Sequence, residues 1–461
     1  MTSPSPSRSA NLPVAVLDFV HDLCLDDVPD EVVAFAQRCL LDLVGVAAAG
    51  RATELSRIIH DHAVANFGPG RDQAGQELAA PIAFDGRRVS PAGAALAMGM
   101  TIDAVDAHDG HNLTKGHSGC HQLPALLAFT QAESADDPRS FLASLIVGYE
   151  IATRAGIALH ATAPDYHTSG AWGAVGAAAL GARTLGLDHQ QTFEAMGVAE
   201  YHGPRSQMMR VIDHPTMLKD GSGWGAMAGV SAAYLARNGF TGAPAITVNS
   251  SDVAAIWADL GEHWIIMDQY FKPLPICRWA QPAVEAALHL RRSHNISGHD
   301  IVAVTVETFH EAVRLATAHP STTEQAQYSL PFPVAAALMR GTIGADEITA
   351  DGLNDPDIAR LADQVRLVEN SDHNEVFPAR RLARVTIELT SGKTVASLDT
   401  EPVGDADNPL PMSAIRSKFH ELASPVVGPD RAAAIELAVD ELTTKGSLAD
   451  LFAVIEAGPL D

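Results

Sequence analysis

The chain has 461 residues, of which 47% are hydrophobic and 19% charged, so it carries enough apolar side chains for a large buried core. Its length favours two or three domains over one. The 56 acidic and 31 basic side chains give a formal net charge of −25. That balance argues against nucleic acid and anionic membranes as partners, because no basic stripe is present to displace phosphate counterions.

The cysteines and the N-terminus predict where the protein works. Cys24, Cys39, Cys120 and Cys277 lie far apart and form no CxxC pair. This spacing predicts reduced thiols and a cytoplasmic location. Residues 1–11 are rich in Ser and Pro and predict a disordered tail rather than a signal peptide. No apolar run reaches the roughly eighteen uninterrupted residues that would span a bilayer.

The first part of the chain shows helical spacing of its apolar residues. Residues 71–89 are polar and contain Gly, which predicts a loop. Ser90 and Pro91 are a cap residue followed by a first-turn proline, and they predict the start of a helix. The remaining predicted helices cover residues 12–50 with a break near Pro29, 54–66, 124–133, 140–157, 170–185 and 221–237.

Near residue 270 the pattern changes. Residues 301–309 and 382–390 alternate and are rich in β-branched side chains, and Ser391-Gly392 predicts a hairpin turn into 393–398. Helices are predicted over 334–339, 357–362 and most of 412–457. The expected fold is therefore mainly α. A large all-helical domain covers residues 12–269 and 403–461, and a smaller α+β lid domain, residues 270–402, is inserted near the C-terminal third.

The densest group of titratable side chains runs from Asp103 to His121 and holds three Asp and four His. It lies between two segments predicted as buried helices, where ionised groups are costly unless they are paired. This placement indicates an acid–base site, although a solvated loop without function remains the alternative. The candidates for general acid and base are Asp106, Asp109, His111 and His117.

A metal site is the second interpretation of the same cluster. No HExxH or CxxC spacing fixes a ligand geometry, so this interpretation is the less favoured of the two. The side chains that could serve as ligands are His108, His111, His117 and His121 with Asp106 and Asp109.

Three further segments carry side chains suited to binding a carboxylate. Thr168 and Ser169 stand before a predicted Gly/Ala-rich helix, and their hydroxyls and the free amides of its first turn would bind an anion. Ordinary helix capping is the alternative. Lys219 precedes another predicted helix, and Lys272 and Arg278 lie in a Pro-rich turn. Turns often carry function, although each lysine could equally be a surface residue.

Together these segments resemble the MmgE/PrpD family, whose members include 2-methylcitrate dehydratase, cis-aconitate decarboxylase and iminodisuccinate epimerase. The resemblance covers about residues 14–419. The family's acidic and Gly-His-Pro-Gly motifs are similar to residues 106–111 and 116–119. Its His-Pro-Thr-Gly, Thr-Lys and Lys-x-x-Pro-x-Cys elements are similar to residues 167–170, 217–223 and 272–277.

The resemblance implies a helical domain with a lid, a homodimer, and chemistry that needs neither cofactor nor metal. Its implied acid–base residues are His117, Asp106, Asp109, His111, His167 and the small-domain Tyr328. Its implied substrate-binding residues are Lys219, Lys272, Arg278, Thr168, Ser169 and Gln281. The chain departs from the family pattern at three positions. His108 stands where the family has the first Asp of a pair, and Gly110 stands where many members have Thr. Gln281 stands where the family commonly has a catalytic His.

The expected function is that of a cofactor-independent lyase acting on a small di- or tricarboxylate. Acid–base chemistry at the carbon α to a carboxylate would remove water or CO₂, and basic side chains would stabilise the enediolate that develops. Two alternatives stay open. One is an epimerase acting on a dicarboxylate of the iminodisuccinate type, and the other is a carboxylate-binding or scaffold protein without catalysis.

Overall fold

The computed structural model describes residues 12–458, so the predicted tail at residues 1–11 lies outside the described residues. Helices make up 57% of the chain and strands 9%, which confirms the mainly-α fold class. The helices before the small domain are α1 (Leu12–Asp22), α2 (Asp30–Arg51), α3 (Glu54–Asn66), α4 (Pro91–Asp103), α5 (Gly119–Ala132), α6 (Pro138–Thr162), α7 (Gly170–Thr184), α8 (His189–His202), α9 (Met209–Asp213), α10 (Ser222–Arg237) and α11 (Ile246–Asn249).

Local sequence signals explain where several of these helices begin. Ser90 caps α4 by accepting the Gly93 N–H, and Pro91 occupies the first turn, as predicted. Asp137 caps α6 through the N–H groups of Arg139 and Ser140. The helical pattern predicted over residues 12–50 forms two helices, and the break predicted near Pro29 covers residues 23–29.

Glycines bring three helices into backbone contact. A Cβ on Gly229 of α10 would lie 2.5 Å from the Ala174 oxygen of α7, and one on Gly99 of α4 would lie 2.6 Å from the Gly223 Cα of α10. Only glycine permits so close an approach at these positions. The packing places the first turn of α10 against both α4 and the first turn of α7.

Two helices, α2 and α6, are long and apolar enough to cross a membrane by length and composition alone. Their most apolar stretches are 78% and 94% buried inside the protein, respectively. Burial of this extent is what the central helices of a large core require. Most of the apolar side chains of both helices belong to the main hydrophobic core.

The segment predicted as a loop, residues 71–89, is not entirely irregular. It forms two small antiparallel pairs, β1 (Gly70–Arg71) with β2 (Glu77–Leu78) and β3 (Ala80–Pro81) with β4 (Arg88–Val89). Each strand has two residues, so no alternation could reveal it. Another such pair is β5 (Gly110–His111) with β6 (Gln269–Tyr270). It joins the loop between α4 and α5 to the chain entering the small domain.

The small domain is built on a four-stranded sheet in the order β10-β9-β7-β8. The predicted hairpin is confirmed as antiparallel β9 and β10, and β7 is the predicted first strand. The parallel strand β8 was not predicted. The strands are β7 (Ile301–Thr308), β8 (Val365–Glu369), β9 (Ala383–Leu389) and β10 (Thr394–Ala396).

Helices cover this sheet and complete the chain. Those of the small domain are α12 (Gln281–His294), α13 (His310–Val313), α14 (Thr323–Gln327), α15 (Pro331–Arg340), α16 (Ala350–Leu353), α17 (Pro356–Ala362) and α18 (Ser371–Val376). The chain then returns to the helical domain as α19 (Met412–Val427), α20 (Pro429–Glu441) and α21 (Leu448–Glu456). The small domain has its own hydrophobic core, which also takes in Val211 and Ile212 of α9.

Candidate active site

The loop between α4 and α5 lies under the chain that enters the small domain. Lys272 is fully buried there, and its ammonium forms an ion pair with the Asp106 carboxylate and donates to the Asp106 carbonyl oxygen at 3.2 Å. Burial acts to raise the pKa of Asp106, but Lys272, Lys219 and His117 together hold that pKa below its ordinary value. Asp106 is therefore an ionised carboxylate locked to one of the two predicted lysines.

The second lysine, Lys219, reaches the same loop through a small-domain residue. Its ammonium donates to Gln327 Oε1 at 2.5 Å, and the same oxygen accepts the Asp106 N–H at 3.1 Å. The ammonium also lies 4.6 Å from the centre of the Tyr328 ring. Lys219 has a left-handed backbone (φ 49°), which costs free energy for a side chain of this kind and is frequent at functional sites.

His117 presents one defined nitrogen to this site. Its Nδ1 lies within hydrogen-bond distance of the Asp109 carbonyl oxygen, which can only accept, so Nδ1 carries the proton. Nε2 is then the basic nitrogen, and it lies 4.0 Å from Asp220 Oδ2. Burial, helped by Lys272, lowers the pKa of His117 to about 3. The ring is a neutral base at pH 7.

Four titratable side chains form a buried row beside the two lysines. The rings of His108 and His117 lie 4.3 Å apart, and His108 Nε2 is 3.8 Å from Asp103 Oδ1. Asp103 Oδ2 in turn accepts the Asp220 N–H at 3.1 Å. Among the described residues, neither nitrogen of His108 has a hydrogen-bond partner.

Asp220 and Asp103 are carboxyls held in an apolar environment. Asp220 Oδ2 accepts the Ser169 hydroxyl at 2.5 Å, and Asp220 Oδ1 has no partner in residues 12–458. Burial, strengthened by the neighbouring Asp103 charge, raises the pKa of Asp220 to about 7. The pKa of Asp103 is also raised, chiefly by burial, while Lys219 opposes the shift. Close carboxyls of this kind retain a proton near neutrality.

We expect the Asp220→Asn variant to show a flatter pH dependence of stability. A carboxyl whose folded pKa of about 7 exceeds its unfolded value favours the folded state fully below about pH 4. That contribution is lost as pH rises through 7. The variant should therefore reduce the fall in unfolding free energy over about pH 4 to 7 by up to ~1.4 kcal/mol per pH unit. Urea titrations at several pH values check this, and equal slopes in both proteins would contradict it.

Three other residues of the predicted cluster form their hydrogen bonds with groups other than the lysines. Asp109 accepts the Tyr149 hydroxyl, and burial raises its pKa to about 7. His111 accepts the Thr114 N–H at 3.4 Å, and burial lowers its pKa to about 3. The pKa of His121 is about 4 for the same reason. The backbone carbonyl of Asp109 orients the His117 ring. Asp109 therefore contributes to the site through its main chain.

Arg278 and Gln281 form a separate group next to the site. Arg278 lies against the Tyr270 ring at 4.5 Å, donates to the Val403 oxygen and pairs with Asp405 at 2.8 Å. Gln281 accepts from Arg278 at 3.1 Å and donates its amide hydrogens to backbone oxygens. Both side chains were predicted to bind substrate, but in the structure their hydrogen bonds and ion pair are made with other groups of the protein.

Thr168 and Ser169 are divided between two environments. The Ser169 hydroxyl accepts the His117 N–H at 3.0 Å, which places it in the site. The Thr168 hydroxyl donates to the Pro204 oxygen at 3.2 Å, as an ordinary loop contact. The side chain of His167 lines a surface pocket that also contains Arg205 and Arg210.

Only part of the proposed metal-ligand set converges. Ligand atoms of Asp106, His108 and His117 lie within 4.8 Å of one another, whereas His111, His121 and Asp109 make the contacts given above. The Lys272 ammonium already holds the Asp106 carboxylate that a cation would need. The charges around the trio therefore suit proton transfer and anion binding better than a dication.

Comparison with known proteins identifies the family of the chain. The model of the MmgE/PrpD N-terminal domain matches residues 15–259, and that of the MmgE/PrpD C-terminal domain matches residues 274–444. The chain belongs to the MmgE/PrpD family. Lys272 lies in the segment between the two matches, residues 260–273.

Curated relatives of this MmgE/PrpD protein cover its whole length. The cis-aconitate decarboxylase-like protein oryM of Aspergillus oryzae is 24% identical over 506 residues, which span 99% of each chain. The cis-aconitate decarboxylase of Aspergillus terreus is 22% identical over the full length of both chains. The cis-aconitate decarboxylase of Mus musculus is 23% identical, and the alignment covers 92% of this chain and 89% of the relative.

The structure explains two of the three departures from the family pattern. A Cβ on Gly110 would lie 2.5 Å from the Tyr270 hydroxyl and 2.7 Å from His117 Nδ1, so no threonine fits without moving them. Gln281 is held by three hydrogen bonds that a histidine could not all reproduce. His108 stands beside His117 with both nitrogens unpartnered among the described residues.

Sequence reasoning missed Gln327, Asp220 and, as a site member, Asp103. Gln327 joins Lys219 and Asp106 from across the domain boundary, and no local motif marks it. Asp220 directly follows Lys219, and an acidic residue beside a predicted substrate lysine was the available signal. Asp103 was counted as the end of the cluster without a role.

We expect Gln327→Leu to weaken the contact between the domains at this site. The change removes the acceptor of the Lys219 ammonium and of the Asp106 N–H, and each unsatisfied buried donor costs about 1–3 kcal/mol. Denaturant titration should show this loss, and activity should fall with it. Gln364→Leu, at an exposed position, is the matched control. Equal stability of the two variants would contradict the bridging role.

Proposed function

We propose that this MmgE/PrpD protein is a lyase that removes CO₂ from a small tricarboxylate of the cis-aconitate type. The observation that carries the proposal is the convergence of two buried lysines, Lys219 and Lys272, with Asp106, His117 and Tyr328 where the two domains meet. A strongly acidic protein needs such local positive charge to attract a polyanion. The full-length similarity to cis-aconitate decarboxylases supports the substrate class.

In this proposal the lysines bind the carboxylates that remain on the substrate. Lys272 gives up part of its contact with Asp106, and Lys219 gives up its contact with Gln327, when the substrate carboxylates arrive. The side chains involved are almost completely buried, so the attraction between ammonium and carboxylate is weakly screened. Movement of the small domain away from the loop would admit the substrate.

The reaction itself breaks one carbon–carbon bond. The electron pair of the bond to the leaving carboxylate forms a new C=C with the neighbouring carbon, the electrons of the original C=C shift into a remaining carboxylate, and CO₂ departs. Negative charge then develops on an enediolate, which the lysine ammoniums stabilise. One proton added at the carbon α to that carboxylate completes the dicarboxylate product. The conjugated carboxylate accepts the electrons, so the proposed chemistry needs no cofactor.

The proton must come from a group that holds one at neutral pH. His117 has its proton on Nδ1, bound to the Asp109 carbonyl, and its Nε2 is free. Asp220, 4.0 Å from Nε2, has a pKa of about 7 and holds a proton in much of the protein at neutral pH. We therefore assign Asp220 as the proton reservoir and His117 as the group that relays the proton to carbon. Burial also keeps the Tyr328 hydroxyl protonated, because its pKa is raised well above the ordinary value.

Epimerisation is the second candidate, and the same row of groups favours it. A neutral His117 can remove an α-proton, and a protonated Asp220 or Tyr328 can return one, without loss of CO₂. Dehydration needs the same base with hydroxide as the leaving group.

A homodimer, a cytoplasmic location, and the absence of nucleic-acid and membrane partners stay predictions from the sequence.

A substrate panel in D₂O tests the proposal. Purified protein is incubated with cis-aconitate, 2-methylcitrate, citrate and a dicarboxylate of the iminodisuccinate type. We expect CO₂ release from cis-aconitate with one deuterium in the product. Deuterium exchange without CO₂ would favour the epimerase, and loss of water would favour the dehydratase. Tight binding without exchange or turnover anywhere in the panel would favour the non-catalytic alternative and overturn the proposal.

A further inference from the structure

A pocket of about 470 Å³ opens on the surface, next to the segment that leads from the active site into α7. It lies between the segment that leads into α7 and the segment around α9. The residues relevant to its chemistry are Asp165, His167, Arg205, Gln207 and Arg210. None of them takes part in the proton-transfer row described above.

The backbone fixes both walls of this pocket. The Thr168 N–H donates to the Ser206 oxygen at 2.8 Å, and the Met208 N–H donates to the Tyr166 oxygen at 2.9 Å. His167 and Gln207 form an antiparallel bridge between these two bonds. Backbone hydrogen bonds therefore fix the shape of the pocket. Arg205 and Arg210 lie on either side of Gln207 in sequence, the residue that pairs with His167.

The side chains that line the pocket carry more positive than negative charge. Within residues 12–458, no ion pair joins Arg205 or Arg210 to a carboxylate, although the chain carries a formal charge of −25. Asp213 of α9, the acidic residue nearest to Arg210 in sequence, is paired with Arg314 at 2.5 Å. Asp165 is the one acidic side chain lining the pocket, and it accepts from Gln207 Nε2 at 3.3 Å. Two guanidiniums against one carboxylate leave a net positive charge.

His167 is the buried part of the pocket wall. It is only 9% exposed, and its Nδ1 is inaccessible to solvent. The charged donors that a ligand in the pocket can reach are therefore the exposed guanidiniums of Arg205 and Arg210. Guanidiniums bind planar or tetrahedral oxyanions through paired N–H groups.

We propose that this pocket binds an oxyanion, a carboxylate or phosphate group held by Arg205 and Arg210. One wall continues through Thr168 into Ser169, whose hydroxyl contacts the His117 N–H in the active site. The pocket would thus collect a polycarboxylate next to the place where it reacts. That occupant rests on the proposed function, whereas the oxyanion site itself does not.

Calorimetric titration at low ionic strength tests the proposal with two probes, citrate and inorganic phosphate. Each probe is titrated into the full chain, into Arg205→Gln/Arg210→Gln and into Lys272→Met. We expect the double variant to bind the probe at this pocket at least about tenfold more weakly, because two charged donors are lost. Lys272→Met should retain this binding, so failure of the active-site proposal would be visible separately. Loss of both phosphate and citrate binding indicates a general oxyanion site, and loss of citrate binding alone indicates a site for the substrate.

Two further variants keep the test independent of folding. Asp165→Asn removes the opposing carboxylate and should strengthen binding severalfold, a gain that a misfolded protein could not show. Arg366→Gln, at an exposed arginine of β8, is the matched control and should bind as the unaltered chain does. Equal affinity of the double variant and the control for both probes would overturn the proposal, as would the absence of binding to the unaltered chain.

Discussion

Replacing Lys272 with methionine is expected to lower kcat by about 10²–10³-fold, because it removes one cation from the charge that develops during the reaction. The same change leaves the Asp106 carboxylate buried without its ion-pair partner. Breaking a buried pair in this way costs about 3–5 kcal/mol of stability. Steady-state kinetics and denaturant titration of the purified variant measure the two effects separately.

A double variant distinguishes the two effects. Lys272→Met/Asp106→Asn removes the stranded charge and should recover much of the lost stability without recovering activity. Arg154→Met is a matched control, because Arg154 forms another buried ion pair, with Glu150 at 3.4 Å, within α6 of the helical domain. It should lose comparable stability but keep kcat within about tenfold. A double variant that regained activity along with stability would show that Lys272 has only a structural role.

Replacing His117 with asparagine is the second change with a large expected effect. The asparagine amide can keep the donor that binds the Asp109 carbonyl, but it has no basic atom at the position of Nε2. A positioned acid or base contributes about 10²–10⁴-fold, so kcat should fall by that factor while the fold is retained. Turnover of the best substrate in the panel, with circular dichroism as a check of folding, measures this.

The proton that His117 relays provides a sharper readout. In D₂O the His117→Asn variant should lose deuterium incorporation at the α carbon together with product formation. His289→Asn, at an exposed position of α12, serves as the matched control and should leave both unchanged. Full activity of His117→Asn would remove His117 from the mechanism and leave Asp220 or Tyr328 as the direct proton donor.

Much of the fold could be predicted from local patterns. The small-residue helices α7 and α10 and the hairpin of β9 and β10 follow from composition, alternation and one Ser-Gly turn. The parallel strand β8 was not predicted because parallel pairing depends on a partner far away in sequence, here β7. The two-residue strands β1 to β4 carry no periodic signal at all.

The candidate site was predictable where residues resemble a motif and unpredictable where contact depends on tertiary packing. Lys219, Lys272, Asp106 and His117 come together in the structure, whereas His167, predicted as an acid–base residue of the same site, does not join them. The partnership between Asp220 and His117 depends on how closely α10 packs against α4 and α7, which glycine spacing suggests but does not fix. The side-chain direction of His167, into a surface pocket, likewise could not be read from its motif.

A crystal structure with the inert analogue propane-1,2,3-tricarboxylate tests the central claim most directly. The account predicts that two carboxylates of the ligand contact the ammoniums of Lys219 and Lys272, with a ligand carbon facing His117 Nε2 and the small domain closed above it. A ligand bound only elsewhere on the protein, with both lysines still paired to Asp106 and Gln327, would contradict it.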